Sequence, residues 1–179
     1  FQYQPPAGFK SLCTANLPTP TVLDPSDNFN TVLYTGNNGN LNVTGVGFNP
    51  DFIWAKNRDS GSYHSDLYDT VRGNNLRLNS SQTAIEATGY LQFISDGFSL
   101  TQGGGINATN AHVAWNWKAG GTPTATNSAG AGNAPTSGSV MIDGVASTTA
   151  LNGDIPATKI SANTKSGFSI VSYTGTGAT

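Results

Sequence analysis

Apolar and polar residues alternate along most of the chain, and single Thr, Ser or Asn residues separate β-branched and aromatic ones. A period of two is typical of strands, because successive side chains of a strand point to opposite faces of the sheet. It predicts strands over residues 29–35, 90–94, 98–101, 111–117 and 168–174. Apolar positions do not recur at helical spacing over any stretch of about ten residues, so we expect very little helix. The pattern therefore predicts an all-β fold, an antiparallel β-sandwich.

Turn residues between these strands predict three hairpins. The turn over residues 36–39 contains an Asn-Gly pair, which tolerates the backbone of a tight reversal, and a return strand begins at Leu41. An Asp-Gly pair in the turn over residues 95–97 predicts the second hairpin. The third spans residues 158–174, and its turn contains a glycine.

The three tryptophans fall on predicted strands. Alternation puts Trp115 and Trp117 on one face of the strand over residues 111–117 and His112 on the other. The strand that contains Trp54 is apolar at nearly every position, as in a strand covered on both faces. We therefore expect all three indole rings to point into the core.

A sequence repeat indicates how the chain is organised. The pattern F-x-x-V-x-Y-T-G occurs at residues 29–36 and again at residues 168–175, which is too far apart for the layers of a solenoid. Each copy is therefore expected to begin a whole module. Between them, residues 121–139 contain only Gly, Ala, Thr, Ser, Asn and Pro, which predicts a linker or a long surface loop. We accordingly predict a β-sandwich module over residues 21–120 and, over residues 140–179, a hairpin that opens a second module.

Charge composition limits the possible partners. Only 10% of the residues are charged, the net charge is −2, and the eight Lys and Arg residues are scattered. Neutralising the phosphates of a nucleic acid needs a basic stripe, so we expect no nucleic-acid partner. No run of about 18 apolar residues is present, so we expect no membrane span. The Gly-rich stretches lack the Lys and the strand-to-helix context of a phosphate site, so we expect no cofactor.

The densest polar cluster is the candidate site. It is open to three interpretations: a structural loop whose shape is fixed by an Asp-to-Arg pair, a glycan site, or a calcium site formed by Asp59, Asp66 and Asp69. Sugars are held by hydrogen bonds from Asn, Asp and Arg with an aromatic ring stacked on the sugar face. The possible glycan contacts are Asn57, Arg58, Asp59, Tyr63, His64 and Asp66.

Signatures of catalysis are missing from the sequence. Neither G-x-S-x-G nor H-E-x-x-H occurs, and only two histidines are available as bases. We predict that the protein is not an enzyme. A polysaccharide-degrading enzyme stays as an alternative, and it would require two carboxylates about 5 to 9.5 Å apart in a cleft.

Five blocks in this order resemble a module of virion proteins from tailed bacteriophages, cyanophages and other marine phages among them. They are residues 29–36 (FNTVLYTG), 50–59 (PDFIWAKNRD), 69–73 (DTVRG), 95–100 (SDGFSL) and 113–121 (VAWNWKAGG). Residues 1–20 open with a segment that resembles the closing strands of a SPRY domain.

The resemblance implies a jelly-roll or concanavalin-like sandwich and a structural role in the virion. The protein would be part of a tail fibre or capsid appendage, located on the extracellular phage particle, with a function in assembly and host attachment. Its partners would be copies of itself in a homo-oligomer, a trimer by resemblance, together with other virion proteins. A lectin-like domain that binds a host-surface glycan is the alternative.

Overall fold

The computed structural model describes residues 4–11, 13–128, 130 and 133–177, and it is nearly all β. Within these residues the helical segments are two 3₁₀ turns, Thr14–Asn16 and Pro25–Asp27. The strands of the described residues are β1 Phe29–Thr35, β2 Leu41–Thr44, β3 Phe52–Asn57, β4 Asp66–Asp69, β5 Leu76–Asn79, β6 Ala87–Thr88, β7 Leu91–Ile94, β8 Gly97–Leu100, β9 Ala111–Trp117, β10 Val140–Ile142, β11 Val145–Ala146, β12 Ala157–Asn163 and β13 Phe168–Tyr173.

The strands form three sheets. One sheet has six strands in the order β1-β9-β3-β4-β5-β6, and a second has three in the order β2-β8-β7. The third has four strands in the order β11-β10-β12-β13. Neighbouring strands in the described residues run antiparallel, apart from the parallel pair β10 and β12. The predicted all-β, antiparallel β-sandwich with very little helix is confirmed.

The core lies between the six-stranded and the three-stranded sheet. Ile53 and Tyr68 of the larger sheet are buried against Phe98 and Leu100 of the smaller one. Alternation along each strand supplies these side chains, because every second residue of β3, β4 and β8 points to the same face. We call the side of the six-stranded sheet that meets this core the inner face, and the opposite side the outer face.

Two of the three predicted hairpins are confirmed, and one is wrong. Strand β7 pairs with β8, and β12 pairs with β13. Strands β1 and β2, however, lie in different sheets, because β1 pairs with β9 and β2 with β8. The chain leaves β1 at Gly36, where an added Cβ would lie 2.0 Å from the carbonyl oxygen of Ala108. The loop before β9 therefore leaves room only for glycine at the point where the chain leaves β1 for the smaller sheet.

The expectation that the tryptophans point into the core is wrong. Trp115 and Trp117 do share one face of β9, but it is the outer face, and Trp54 beside them is 39% exposed. The face that meets the smaller sheet carries His112 and Asn116, both fully buried. The apolar run of β3 gave no information on which of its sides a second sheet covers.

The segment over residues 121–139 has no strand among its described residues. Asn127 attaches it to β12, since its backbone N–H donates to Thr158 O at 2.7 Å and its Nδ2 donates to Ala157 O at 3.0 Å. Residues 129, 131 and 132 of this segment, 1–3 and 12 of the SPRY-like segment, and 178–179 of the last segment lie outside the described residues. The division into a module, a linker and a second module stays a prediction.

Candidate functional site

Asn57, one of the six possible glycan contacts, lies at the end of β3 with its side chain buried on the inner face. Its Oδ1 accepts hydrogen bonds from the backbone N–H groups of Asp59 and Ser60, at 3.0 and 2.9 Å. Its Nδ2 donates to Asn110 Oδ1 at 3.3 Å and lies 3.3 Å from Nε2 of His112. The side chain therefore holds the loop that follows β3 from the buried side of the sheet and does not face solvent.

Asp66 is also buried, at the start of β4. Its carboxylate accepts a hydrogen bond from Nδ2 of Asn79 and lies 3.4 Å from Nη1 of Arg77. Burial raises the pKa of Asp66, and the nearby Arg77 charge partly opposes that shift. The group is enclosed by partners from β5.

The other four candidates, Arg58, Asp59, Tyr63 and His64, are exposed. Asp59 Oδ2 accepts a hydrogen bond from the Ala111 N–H at 2.7 Å, so this carboxylate holds the loop against the start of β9. The His64 ring lies within hydrogen-bond distance of two side chains, those of Ser81 and Gln82. The structure thus separates the six residues into a buried pair and an exposed group of four. A glycan contact stays a prediction, and exposure leaves only the four for that role.

The Asp side chains proposed for calcium do not come together. Asp69 instead forms an ion pair with Arg72, whose Nε lies 2.6 Å from Asp69 Oδ2, and Arg72 also reaches Glu86 at 3.1 Å. Across the part of the chain that the structure describes, no group of three His, Cys, Asp or Glu side chains is arranged to hold a metal ion. The Asp-to-Arg pair of the structural interpretation is present at Asp69 and Arg72.

His112 lies on the inner face between Tyr34 of β1 and Asn57 of β3. Its ring stacks on Tyr34 with centroids 5.0 Å apart. Its Nδ1 lies 2.8 Å from the carbonyl oxygen of Asn110, and its Nε2 lies 3.1 Å from that of Gly105. These contacts tie the loop between β8 and β9 to the sheet. An imidazole with one N–H can donate to only one of these carbonyl oxygens, and when Nδ1 donates to Asn110 O, Nε2 can accept from Nδ2 of Asn57 at 3.3 Å.

A cleft of about 670 Å³ lies between the end of β9 and the four-stranded sheet, and Asp24, Asp51 and Asp143 line it. Burial raises the pKa of Asp51, which accepts hydrogen bonds from the N–H groups of Ala119 and Gly121 and from the Thr70 hydroxyl. Hydrogen bonds lower the pKa of the other two carboxyls: Ser26 binds Asp24 and Thr164 binds Asp143. Each carboxylate is thus bound by groups of the protein itself.

Sequence reasoning missed a cluster of rings on the outer face. Trp54 and Trp115 pack against each other with ring centroids 5.5 Å apart, and Trp117 packs against Phe29 at 4.9 Å and Phe52 at 5.3 Å. We call these five residues the outer aromatic face. The alternation of β1, β3 and β9 marks them as one set, but it does not show that the set faces away from the core.

The hairpin β12–β13 is fixed to this face and to the end of β9. The Phe168 ring stacks on Trp117 at 5.9 Å, and Asn163 Nδ2 donates to Asn28 Oδ1 at 2.8 Å. The buried Ser161 hydroxyl accepts a hydrogen bond from the Gly120 N–H at 2.9 Å. A Cβ at Gly120 would lie 2.4 Å from carbonyl oxygens of the four-stranded sheet, so only glycine fits this junction. The Gly-Gly pair that follows β9 was the available sequence signal.

Within the described ranges, no helix has the length and apolar character needed to cross a bilayer. Residues 24–150, more than two thirds of the chain, match a family described as "Domain of unknown function (DUF7483)". No curated protein matches the chain. No solved structure matches it either.

Proposed function

The chain belongs to the DUF7483 family of domains of unknown function, and from the resemblance of its sequence blocks to virion modules we propose that it is a non-enzymatic structural protein of a bacteriophage virion. It would form a module of a tail fibre or capsid appendage that contributes to assembly and to host-surface attachment. The observation that carries the proposal is the part of the outer face that the β12–β13 hairpin leaves uncovered, where large apolar side chains contact solvent.

Exposure on this face supports an assembly role. Trp54 is 39% exposed, and Leu33, on the same face of β1, is 66% exposed. Contiguous apolar surface of this kind marks sites where proteins associate, because association removes the apolar area from water. A chain with only 10% charged residues offers little electrostatic repulsion to such contacts.

The bonding of the carboxylates supports a scaffold rather than a catalyst. General acid or base work requires a carboxyl group that can reach a substrate proton. Asp51 is buried and bound by two backbone N–H groups, and Asp66 is buried beside Asn79 and Arg77. Both are used to hold local structure. The resemblance to tail and fibre modules adds the partners, which are copies of the chain in a trimer and other virion proteins.

Analytical ultracentrifugation of the full chain tests the assembly role. We expect a concentration-dependent oligomer, with a trimer as the main species, and a shift to monomer in the variants Leu33→Ser and Trp54→Ser. The matched control is Val145→Ser on β11, which removes an apolar side chain of similar exposure (69%) that lies off the outer face. A chain that stays monomeric at every concentration, or association that the control weakens equally, would contradict the proposal.

Carbohydrate binding is the second candidate, and the exposed ring of Tyr63 favours it. Tyr63 lies over the glycine at position 105, and the exposed polar groups of Arg58 and His64 belong to the same loop. A ring with polar neighbours is the arrangement that holds a sugar face. Binding on a glycan array that is lost in Tyr63→Ala and kept in Trp54→Ser would place the sugar at this loop. Absence of binding by the assembled protein would leave the structural role alone.

A further inference from the structure

Strands β1 and β13 share the pattern F-x-x-V-x-Y-T-G but differ in what covers them. In β1, Val32 and Tyr34 face the core and pack against its buried cluster. The equivalent residues of β13, Val171 and Tyr173, are 50% and 65% exposed. The same sequence pattern therefore meets a second sheet in one place and solvent in the other.

The surroundings of β1 show what this pattern is suited to contact. Strand β9 pairs with β1 along its whole length. Tyr34 donates a hydrogen bond from its hydroxyl to Ile106 O at 2.7 Å, and its ring meets that of Phe98 edge-on at 5.6 Å. The cover of β1 thus consists of β9 at its edge, and of β8 with the loop that follows it over its face.

The glycine that ends each copy of the pattern supports the same conclusion. An added Cβ at Gly36 would lie 2.0 Å from Ala108 O and 2.6 Å from the carbonyl carbon of Asn107, so the loop before β9 leaves room only for glycine. At Gly175 nothing lies within 4 Å of the same position. A glycine is present at both sites, but only the first has the neighbour that requires it.

The other side of β13 is already occupied. Phe168 stacks on Trp117, and the turn before it is held by Asn163, whose Oδ1 accepts from the N–H groups of Lys165 and Ser166 at 3.1 Å. The turn before β1 is built in the same way, since Asp24, at the matching distance before Phe29, caps its own turn. β13 is therefore anchored on one face, and its opposite face, like one of its edges, is without a partner strand in the described residues.

We propose that the β12–β13 hairpin is the docking site for a second copy of the module that lacks a β1 of its own, with β13 serving as its first strand. A strand with the pattern of β9 would pair along the open edge of β13, and a sheet like β2-β8-β7 would cover Val171 and Tyr173. Modules would then join in series through a shared sheet, with Gly120, Ser161 and Phe168 fixing each joint. This inference depends on the sequence repeat and holds whether or not the assembly is part of a virion.

A direct fusion tests the proposal. Residues 1–175 are followed at once by residues 37–177, so that Gly175 takes the place of Gly36 and β13 that of β1. Burial should lower the nitration rate of the first Tyr173 about tenfold or more and slow amide exchange along the first β13. The second copy of Tyr173 has no cover and is an internal control. Mass spectrometry distinguishes the two, because Gly175 is followed by Asn37 in the first and by Thr176 in the second.

Substitutions show whether the protection comes from the proposed face. Val171→Asp in the first hairpin should return Tyr173 to the nitration rate of the single chain, because a carboxylate would be buried against the second copy. Val145→Asp, the same change at a similarly exposed position of β11, should leave the protection unchanged. Protection that survives Val171→Asp would contradict the proposal.

A second fusion separates failure of folding from failure of docking. It joins residues 1–177 to a complete copy, residues 24–177, through a flexible Gly/Ser linker, so that the added module has its own β1. If the added module folds in this chain but not in the direct fusion, β13 does not replace β1 and the proposal is wrong. The proposal is equally wrong if both fold and the first Tyr173 stays as reactive as in the single chain. Neither result depends on the oligomeric state, on which the proposed function is tested.

Discussion

The inner and outer faces of the six-stranded sheet differ in a way that reverses the usual distribution of residue types. The inner face buries His112 and Asn116 of β9, and the outer face exposes part of Trp54 and carries Trp115. Large aromatic residues are usually more buried than Asn. The comparison shows that burial in a strand depends on which side the second sheet covers, and only indirectly on how apolar each side is.

Hydrogen bonding explains why the polar inner face is stable. Asn57 Oδ1 accepts from two backbone N–H groups, and one ring nitrogen of His112 can donate to a carbonyl oxygen. Asn116 Nδ2 donates to Asn30 O and Ala114 O, both at 3.1 Å, whereas its buried Oδ1 has no hydrogen-bond partner among the described residues. A buried polar group that keeps its hydrogen bonds avoids most of the desolvation penalty. On the outer face the rings shield one another instead, as in the pair of Trp54 and Trp115. Hydrogen bonds thus offset part of the cost of burying polar side chains on the inner face, and ring packing reduces the exposed apolar area of the outer face.

The largest expected effect is the loss of stability when Ile53 of β3 is truncated. Trp54, the next residue of the same strand, points to the opposite face and serves as the comparison. Ile53→Ala should lower the free energy of unfolding by about 2–5 kcal/mol, because it leaves a cavity in the core. Trp54→Ala removes a larger side chain but should cost less than about 1.5 kcal/mol, since its ring is partly exposed and its main contact is one aromatic pair. Urea unfolding of both variants measures the difference.

The test depends on which of the two variants, Ile53→Ala or Trp54→Ala, loses more free energy of unfolding. If Trp54→Ala were the more destabilising change, the outer face would be part of a core, and the assignment of faces would be wrong. The measurement is made below the concentration at which the chain associates, so that loss of an oligomer is not counted as loss of fold.

A smaller effect is expected from a polar residue of the inner face. Asn57→Ala removes the acceptor of two backbone N–H groups and the donor to Asn110, and it should cost about 1–3 kcal/mol. Asn42→Ala is the matched control, because Asn42 is exposed on β2, and surface changes of this kind usually stay within about 0.5 kcal/mol. Equal stabilities of the two variants would show that Asn57 does not hold the loop after β3.

Much of the strand content could be predicted from the sequence, since the alternation is local. Strand β1 has the predicted bounds of residues 29–35, and the hairpin of β7 and β8 follows from its Asp-Gly turn. The pairing of β1 with β9 could not be predicted, because these strands are about 80 residues apart in the chain. Neither strand sequence specifies which other strand it pairs with. The Asn-Gly turn after β1 favoured the nearer strand, β2, and the prediction failed there.

The candidate site was less predictable than the strands. A polar cluster in the sequence does not show which of its side chains turn inward, and Asn57 and Asp66 do so because they lie on strand positions that face the core. The joint at Gly120 depends on the backbone of the four-stranded sheet, at Met141 and Ala162, which lie later in the chain. Such contacts follow from the packing of whole sheets, so a local pattern contains little information on them.

The smallest expected effect concerns the charge of Asp66, because burial on the inner face disfavours the ionised carboxylate. Because burial raises its pKa above the free value of 3.8, the folded state binds a proton more readily than the unfolded state. Its contribution to stability is therefore fully present below 3.8 and is lost as the pH rises through the folded pKa. Asp66→Asn removes this titration and keeps an acceptor for Asn79. The stability of the natural chain minus that of the variant, measured by urea unfolding at a series of pH values, should thus rise as the pH falls from about 7 toward 4. A difference that falls instead would mean that the attraction of Arg77 outweighs burial, and that the inner face holds Asp66 as a stabilised carboxylate.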